Sequence, residues 1–183
     1  MPPATDCTST AAAILAGGQS TRMGRDKAAL SFEGKSLLDH ALGLVESLSI
    51  TTVRVCGRPA HPLGISDSHP GGGPVHAILD ALESLPPNIN CLLVLPVDMP
   101  ALEMNDLIPL LESESHQVRL WKAHPLPLVI PAGITRPERE QVWSIRRFLD
   151  GVDCKELAIP ASRQHHFRNI NTPGDFAELG KLT

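Results

Sequence analysis

The sequence predicts an α/β fold in three layers, with a mostly parallel central sheet and helices on both faces. Short apolar runs of strand length alternate with segments of helical spacing at least three times before residue 115. Two of the runs, Ala11–Leu15 and Cys91–Leu95, are apolar throughout, as strands covered on both faces must be. The chain has 183 residues, 42% of them hydrophobic, which suits one domain with an ample core and excludes a disordered or collagen-like chain.

Each element has its own local signal. Ala11–Leu15 ends in a loop bearing Gly17, Gly18 and Gly24, as a buried parallel strand feeding a loop would. From Ser36 the spacing turns helical, with Leu37, Leu38, Ala41, Leu44, Val45 and Leu48 on one face. Thr51–Cys56 is β-branched and reads as the second strand. Pro74 suits the first turn of a helix, where its missing N–H costs nothing; Val75, Ile78, Leu79 and Leu82 would face inward, and Pro86-Pro87 would end it. Cys91–Leu95 is the most apolar run and is expected at the centre of the sheet. A helix is expected over Asn105–Leu111 with Asn105 as its cap. Val118–Trp121 and Leu128–Ile130 read as short strands around a Pro-rich turn at His124-Pro125. Ser144–Leu149 reads as helix, Glu156–Ile159 as a weak strand, and Thr172-Pro173 as the start of the last helix.

Charge and cysteine usage narrow the function. The net charge is −4, aromatic residues make up 3%, and there is no Tyr. A nucleic-acid surface would be basic, and a single-strand platform would need aromatic faces, so no nucleic-acid partner is expected. Cys7, Cys56, Cys91 and Cys154 are scattered without a CxxC pair, which offers no zinc knuckle and suits a reducing compartment. No apolar run approaches the roughly 20 residues that span a bilayer. Met1–Thr10 carries Asp6 and no basic region, so it reads as a flexible lead and not a secretory signal. The expectation is one cytoplasmic domain over residues 1–183, with 1–10 flexible and no membrane partner.

Ligands in such sheets bind beyond the C-terminal strand ends, which directs attention to residues 16–27 and 96–100. The segment Leu15–Lys27 reads LAGGQSTRMGRDK. Its glycines let backbone amides converge on phosphate oxygens, and Arg22, Arg25 and Lys27 add positive charge. The spacing fits neither GxxxxGK[ST] nor GxGxxG, so it is a phosphate loop of a third kind. In Val97-Asp98-Met99-Pro100, Asp98 leaves a strand in a rigid proline turn, where a carboxylate can hold Mg²⁺ or simply cap the turn. Asn169 and Asn171, two apart, point to the same side of an extended segment; ligand contact and turn chemistry are both open to them. His76 is expected to face solvent, and the adjacent His165-His166 to point opposite ways from a strand at the surface. Cys56 is too weak a hydrogen bonder to count as a ligand.

The stretch Leu15–Leu30 resembles the signature of the MobA-like nucleotidyltransferases, roughly LAGGxSxRMGxDKxxL. Three further segments follow in the family's order. Asp67 precedes Pro70–Pro74, VDMP at 97–100 stands where the family has CDMP, and Asn169–Pro173 matches NxNTP. His124-Pro125 is similar to a segment on the family's acceptor side. Val75-His76-Ala77 departs from the family's Leu-Ala-Gly.

The resemblance implies a three-layer α/β/α Rossmann-like nucleotidyltransferase fold and Mg²⁺-dependent transfer of GMP from GTP to the phosphate of molybdopterin. It implies nucleotide contacts from Leu15, Ala16, Gly17, Gly18, Lys27, Asp67 and Asp98, with Asp98 holding the metal. It also implies catalytic roles for Lys27, Arg22 and Asp98, and acceptor contacts from Asn169 and Asn171. Other molybdenum cofactor proteins would be partners. Transfer from CTP, transfer to another phosphorylated acceptor, and a nucleotide-binding protein without turnover remain alternatives.

Overall fold

The computed structural model describes residues 9–17, 26–112, 116–135, 144–172 and 174–175. Six strands form the main sheet: β1 (Thr10–Leu15), β4 (Thr52–Cys56), β5 (Cys91–Pro96), β6 (Val118–Trp121), β7 (His124–Pro131) and β8 (Cys154–Leu157). A hairpin of β2 (Ser31–Phe32) and β3 (Lys35–Ser36) stands apart. The main sheet runs β4-β1-β5-β7-β6-β8. β1 pairs in parallel with β4 and β5, and β6 with β8; only β7 runs against its neighbours. The expected mostly parallel sheet is therefore present.

The helices divide between the two faces. Ala12 and Ile14 of β1, with Leu93 and Leu95 of β5, pack on α1 (Leu37–Ser47) and α3 (Met104–Leu111). Ala11, Ala13, Leu92 and Val94 pack on α2 (Pro74–Glu83) and α4 (Ile145–Asp150). Alternate residues of one apolar strand thus feed two cores, which is why such strands carry no polar positions.

α1 starts on a capping box, in which Ser36 Oγ accepts from Asp39 N at 3.0 Å and Asp39 Oδ2 accepts from Ser36 N at 3.3 Å. Leu37, Ala41 and Val45 are buried beneath it. α2 opens on Pro74 as expected and buries Val75, Ile78, Leu79 and Leu82.

Several boundaries differ from the sequence expectation. α3 starts at Met104 with Glu103 before it, and Asn105 is an exposed first-turn residue. The side chain that caps is Asp106, whose Oδ2 accepts from Glu103 N at 2.8 Å. His124-Pro125 is no turn. The chain turns at Lys122-Ala123, with Ala123 at φ 66°, and β7 begins at His124. The prolines are tolerated because β6 pairs Leu120 with Leu128 and then Trp121 with His124, so Pro125–Pro127 bulge out unmatched. β5 pairs with β7 only as far as Val94 with Leu128, so it asks nothing of those prolines either. β8 lies earlier than Glu156–Ile159, drawn into register by β6 through Val118 with Cys154 and Trp121 with Leu157. His165 and His166 belong to a 3-10 helix, Ala161–Phe167, and not to a strand. Of the expected flexible lead, residues 1–8 lie outside the described residues, while Thr10 is buried in β1 and Ser9 carbonyl O accepts from Asn90 N at 2.7 Å. Thr172 Oγ1 accepts from Asp175 N at 3.1 Å, as a cap for the last helix should. Gly18, Arg22, Gly24, Arg25, Pro173 and residues 176–183, where the last helix is expected, lie outside the described residues.

Candidate active site

A cavity of about 740 Å³ opens at the C-terminal ends of β1 and β5, where a parallel sheet is expected to bind. Leu15, Ala16 and Gly17 form one edge, and Pro96–Met99 the floor. Across it stand the β6–β7 turn, Pro125, Leu126, Ile145, Arg146 and Phe167. Asn169 and Asn171 close the remaining side.

Lys27 is the centre of this wall. Its ammonium donates to Asp98 Oδ2 at 3.3 Å and to Asn171 Oδ1 at 3.1 Å, joining groups that lie 71 and 144 residues away. Both side chains of the Lys27–Asp98 pair are about one-fifth exposed, so the pair is accessible to a ligand. The extended segment Asn169–Asn171 is pinned by Ile170, which is buried and donates its N–H to Asp98 carbonyl O at 2.8 Å. Burying Ile170 turns both asparagines to the cavity, the geometry that a spacing of two predicts. Asp175 then accepts from the N–H groups of Asn171 and Thr172, each at 2.8 Å. Those backbone bonds hold its carboxyl below the ordinary carboxylate range.

Lys27 opens the short 3-10 helix Lys27–Ala29, capped by Asp26, whose Oδ1 accepts from Ala28 N at 3.2 Å. Arg58, just beyond β4, pairs with the same Asp26 carboxylate and donates Nε–H to Ala16 carbonyl O at 3.2 Å. The hydrogen bond from Arg58 is the main reason the Asp26 carboxyl is held below its ordinary value. Arg58 therefore grips the chain both before and after the glycine loop. Nothing in the sequence marked it, because its partners lie 32 and 42 residues away. Beside it, Gly17 and Gly57 meet backbone to backbone: a Cβ on Gly17 would stand 2.9 Å from Gly57 Cα.

Seven of the expected site residues thus share one cavity: Leu15, Ala16, Gly17, Lys27, Asp98, Asn169 and Asn171. Asp67 does not line it; it is exposed, and its Oδ1 accepts from His69 N at 2.9 Å. His76 does not face solvent. It is buried on α2, with ring Nδ1 2.6 Å from Gly72 carbonyl O, so it braces the glycine turn that leads to Pro74 at the cavity edge. Cys56 is buried away from the cavity, and burial pushes its thiol up to about 12. Phe167, Ile145 and Arg146 were not foreseen, because their elements reach the cavity only through tertiary packing.

The family model for the MobA-like NTP transferase domain matches residues 12–147, well over half of the chain. The chain belongs to the MobA-like NTP transferase family. It is 30% identical over 174 residues to a molybdenum cofactor guanylyltransferase of Xanthomonas euvesicatoria pv. vesicatoria (strain 85-10), covering 91% of this chain and 92% of the relative. It is 32% identical to a molybdenum cofactor guanylyltransferase of Rhizobium johnstonii (strain DSM 114642 / LMG 32736 / 3841), covering 92% and 90%. The crystal structure of molybdopterin-guanine dinucleotide biosynthesis protein A from Archaeoglobus fulgidus superimposes with a TM-score of 0.73 at 20% identity, covering 94% of this chain and 97% of that one. That likeness establishes a shared fold.

MobA-like transferases generally need a divalent metal, and the residues here suit one. Asp98 and Asn171 present a carboxylate and an amide oxygen to one point, now bridged by an ammonium. Hard oxygen donors, few in number and open to phosphate and water, are what Mg²⁺ takes. No helix among the described residues is long and apolar enough to cross a membrane.

Proposed function

We propose that the chain transfers GMP from GTP to the phosphate of molybdopterin, with Mg²⁺, and releases pyrophosphate. The observation that carries this is the meeting of Lys27, Asp98 and Asn171 at the mouth of the sheet, in a family whose curated relatives are named guanylyltransferases.

Both reactants are anions, so positioning and charge neutralisation supply most of the rate. The acceptor phosphate is already ionised near neutral pH, since a phosphomonoester's second pKa is about 6. One of its oxygens bonds to the α-phosphorus of GTP, the bond from that phosphorus to the bridging oxygen breaks, and the electron pair leaves with pyrophosphate. No proton has to be removed, so no general base is required. Gly17 leaves room for the nucleotide to approach the backbone. Lys27 shifts from its resting partners to the α-phosphate, where charge builds. Asn169 and Asn171 orient the acceptor phosphate for in-line approach. Asp98 would hold Mg²⁺, which when bound would supply positive charge to the phosphate oxygens. Gly18, Arg22 and Asp67 enter by resemblance alone: Gly18 and Asp67 on the nucleotide, Arg22 on the pyrophosphate side.

Pyrophosphate release is measured with each of GTP, CTP, ATP and UTP, in the presence of molybdopterin and Mg²⁺. GTP is expected to support turnover and the others little. A preference for CTP overturns the guanylyl assignment. GTP binding without release of pyrophosphate overturns transfer itself and leaves a nucleotide-binding protein.

A further inference from the structure

We propose that Asp106, His166 and Arg163 form a positioning lock behind the cavity that holds its acceptor wall in place, separately from the nucleotide floor. The proposal rests on the function above for its kinetic consequence, though not for its structural one. Asp106 lies on α3, is 1% exposed, and does not line the cavity. An ionised carboxylate so deeply buried must be paired and fully hydrogen-bonded to persist. Its Oδ1 accepts from Arg163 Nη1 at 2.7 Å. Its Oδ2 accepts from Glu103 N at 2.8 Å and lies 2.7 Å from His166 Nδ1. Because the carboxylate only accepts, the hydrogen of that last bond sits on Nδ1.

Both partners come from the 3-10 helix Ala161–Phe167, which has no side-chain cap of its own. Short 3-10 helices have poor hydrogen-bond geometry and depend on tertiary contacts. The lock supplies them, and its effect runs straight to the cavity. Trp121 donates Nε1–H to Asp106 carbonyl O at 3.0 Å and meets the Phe167 ring edge-on at 5.6 Å. Phe167 also packs on His124, ring centroids 5.4 Å apart. Phe167 and His124 line the same cavity as Leu15–Gly17, and the chain after Phe167 carries Asn169 and Asn171. Asp106 therefore ties α3 to the 3-10 helix through its carboxylate and to Trp121 at the end of β6 through its backbone carbonyl, and the Trp121–Phe167–His124 ring contacts join these into a single wall. The nucleotide side is held by other means: the parallel β1 ladders, the Gly17–Gly57 contact and the Asp26–Arg58 pair.

Glu103, Asp106 and His166 also bring three ligand atoms within 4.8 Å of one another, as a metal site would. Arg163 already serves as the cation there, with its guanidinium 2.7 Å from Asp106 and 3.6 Å from Glu103.

The test compares wild type with Arg163→Ala, His166→Ala and His166→Asn, since Asp106→Asn risks misfolding. The two alanine variants should raise the KM for molybdopterin about tenfold, the scale of a lost hydrogen bond to a charged group. KM and Kd for GTP should stay within about twofold, well under the energy of such a bond. His166→Asn, whose amide N–H can take the place of Nδ1–H, should recover most of the loss. An unchanged acceptor KM, or equal changes for GTP and acceptor, overturns the lock. The chain has two tryptophans, Trp121 and Trp143, so a Trp143→Phe background isolates Trp121 as a reporter that needs no activity. There His166→Ala should shift emission to the red and admit acrylamide, and His166→Asn should not. Unaltered Trp121 emission overturns the lock even if guanylyl transfer is absent altogether. A rise in melting temperature with Zn²⁺ or Mg²⁺ alone, abolished in His166→Ala, overturns it in favour of a metal site.

Discussion

Lys27 rests on two oxygens that the chain supplies from 71 and 144 residues further on. Asp98 and Asn171 hold its ammonium at rest, so a nucleotide that takes it over frees both oxygens at the same time. Under the proposed function, this exchange would separate its contribution to rate from its contribution to binding. Lys27→Ala should lower kcat by about 10²–10³, or roughly 2.7–4 kcal/mol, the usual worth of a donor aimed at charge building in the transition state. GTP affinity should fall by less, because the ground state draws less on the cation. Lys27→Arg should recover little, since a planar guanidinium does not replace a compact ammonium. Single-turnover kinetics at saturating GTP measures the step. A kcat within about threefold of wild type, only ~0.65 kcal/mol, would remove Lys27 from the chemistry.

At the level of elements, the junctions matter more than the strands. β1 and β4 end side by side, Ala16 N–H donates to Cys56 carbonyl O at 3.1 Å, and the two chains then touch through Gly17 and Gly57. Gly57 has φ +78°, a conformation that costs an L-residue roughly 1–2 kcal/mol. A methyl there also meets the Gly17 backbone, and overpacking of that kind costs typically about 1–3 kcal/mol. Gly57→Ala should therefore lower stability by a few kcal/mol at most and, under the proposed function, weaken GTP binding, because the strain lands on Gly17 at the cavity edge. Chemical denaturation together with GTP titration checks both parts. Gly43→Ala is a useful control: that glycine lies within α1 with open space around it, and alanine there should stabilise, since glycine costs about 1 kcal/mol in a helix. The same junction shows the limits of reading strands alone. Thr51–Cys56 was recognisable as a strand by its β-branched residues, but nothing in it foretold that Gly57 would touch Gly17.

For the whole molecule, the cavity is assembled from both ends of the chain. Residues from the glycine loop, from the end of β5 and from the Asn169–Asn171 segment meet only when the sheet is complete. A ligand that spans them should stabilise the fold as one unit. At about one hundred times its Kd, GTP with Mg²⁺ should contribute roughly 2.7 kcal/mol. For a chain of this size that corresponds to an increase of about 5–11 °C in Tm. Thermal unfolding with each of the four triphosphates measures it, and GTP is expected to give the largest shift. A larger shift with CTP would point to cytidylyl transfer.

Much was readable from order alone. Apolar runs covered on both faces declare themselves in composition, so β1, β5 and the mostly parallel sheet were legible. Local rules held in part: Pro74 opens α2, and the spacing of two brings Asn169 and Asn171 to one cavity, whereas the cap expected of Asn105 fell to Asp106. Lys27 and Asp98 stood out because glycine loops and proline turns at strand ends are local signals of a site. What only the tertiary structure decided has no local signature. Pro125 and Pro127 became strand residues because neither neighbour pairs with them. His76 turned inward beneath a glycine turn, and Asp67 stayed outside the cavity. Arg58 and Asp106 acquired their roles from partners 32 to 60 residues away. A side chain's periodicity and nearest neighbours follow from sequence, whereas its electrostatic partners are set by which elements the sheet order brings together.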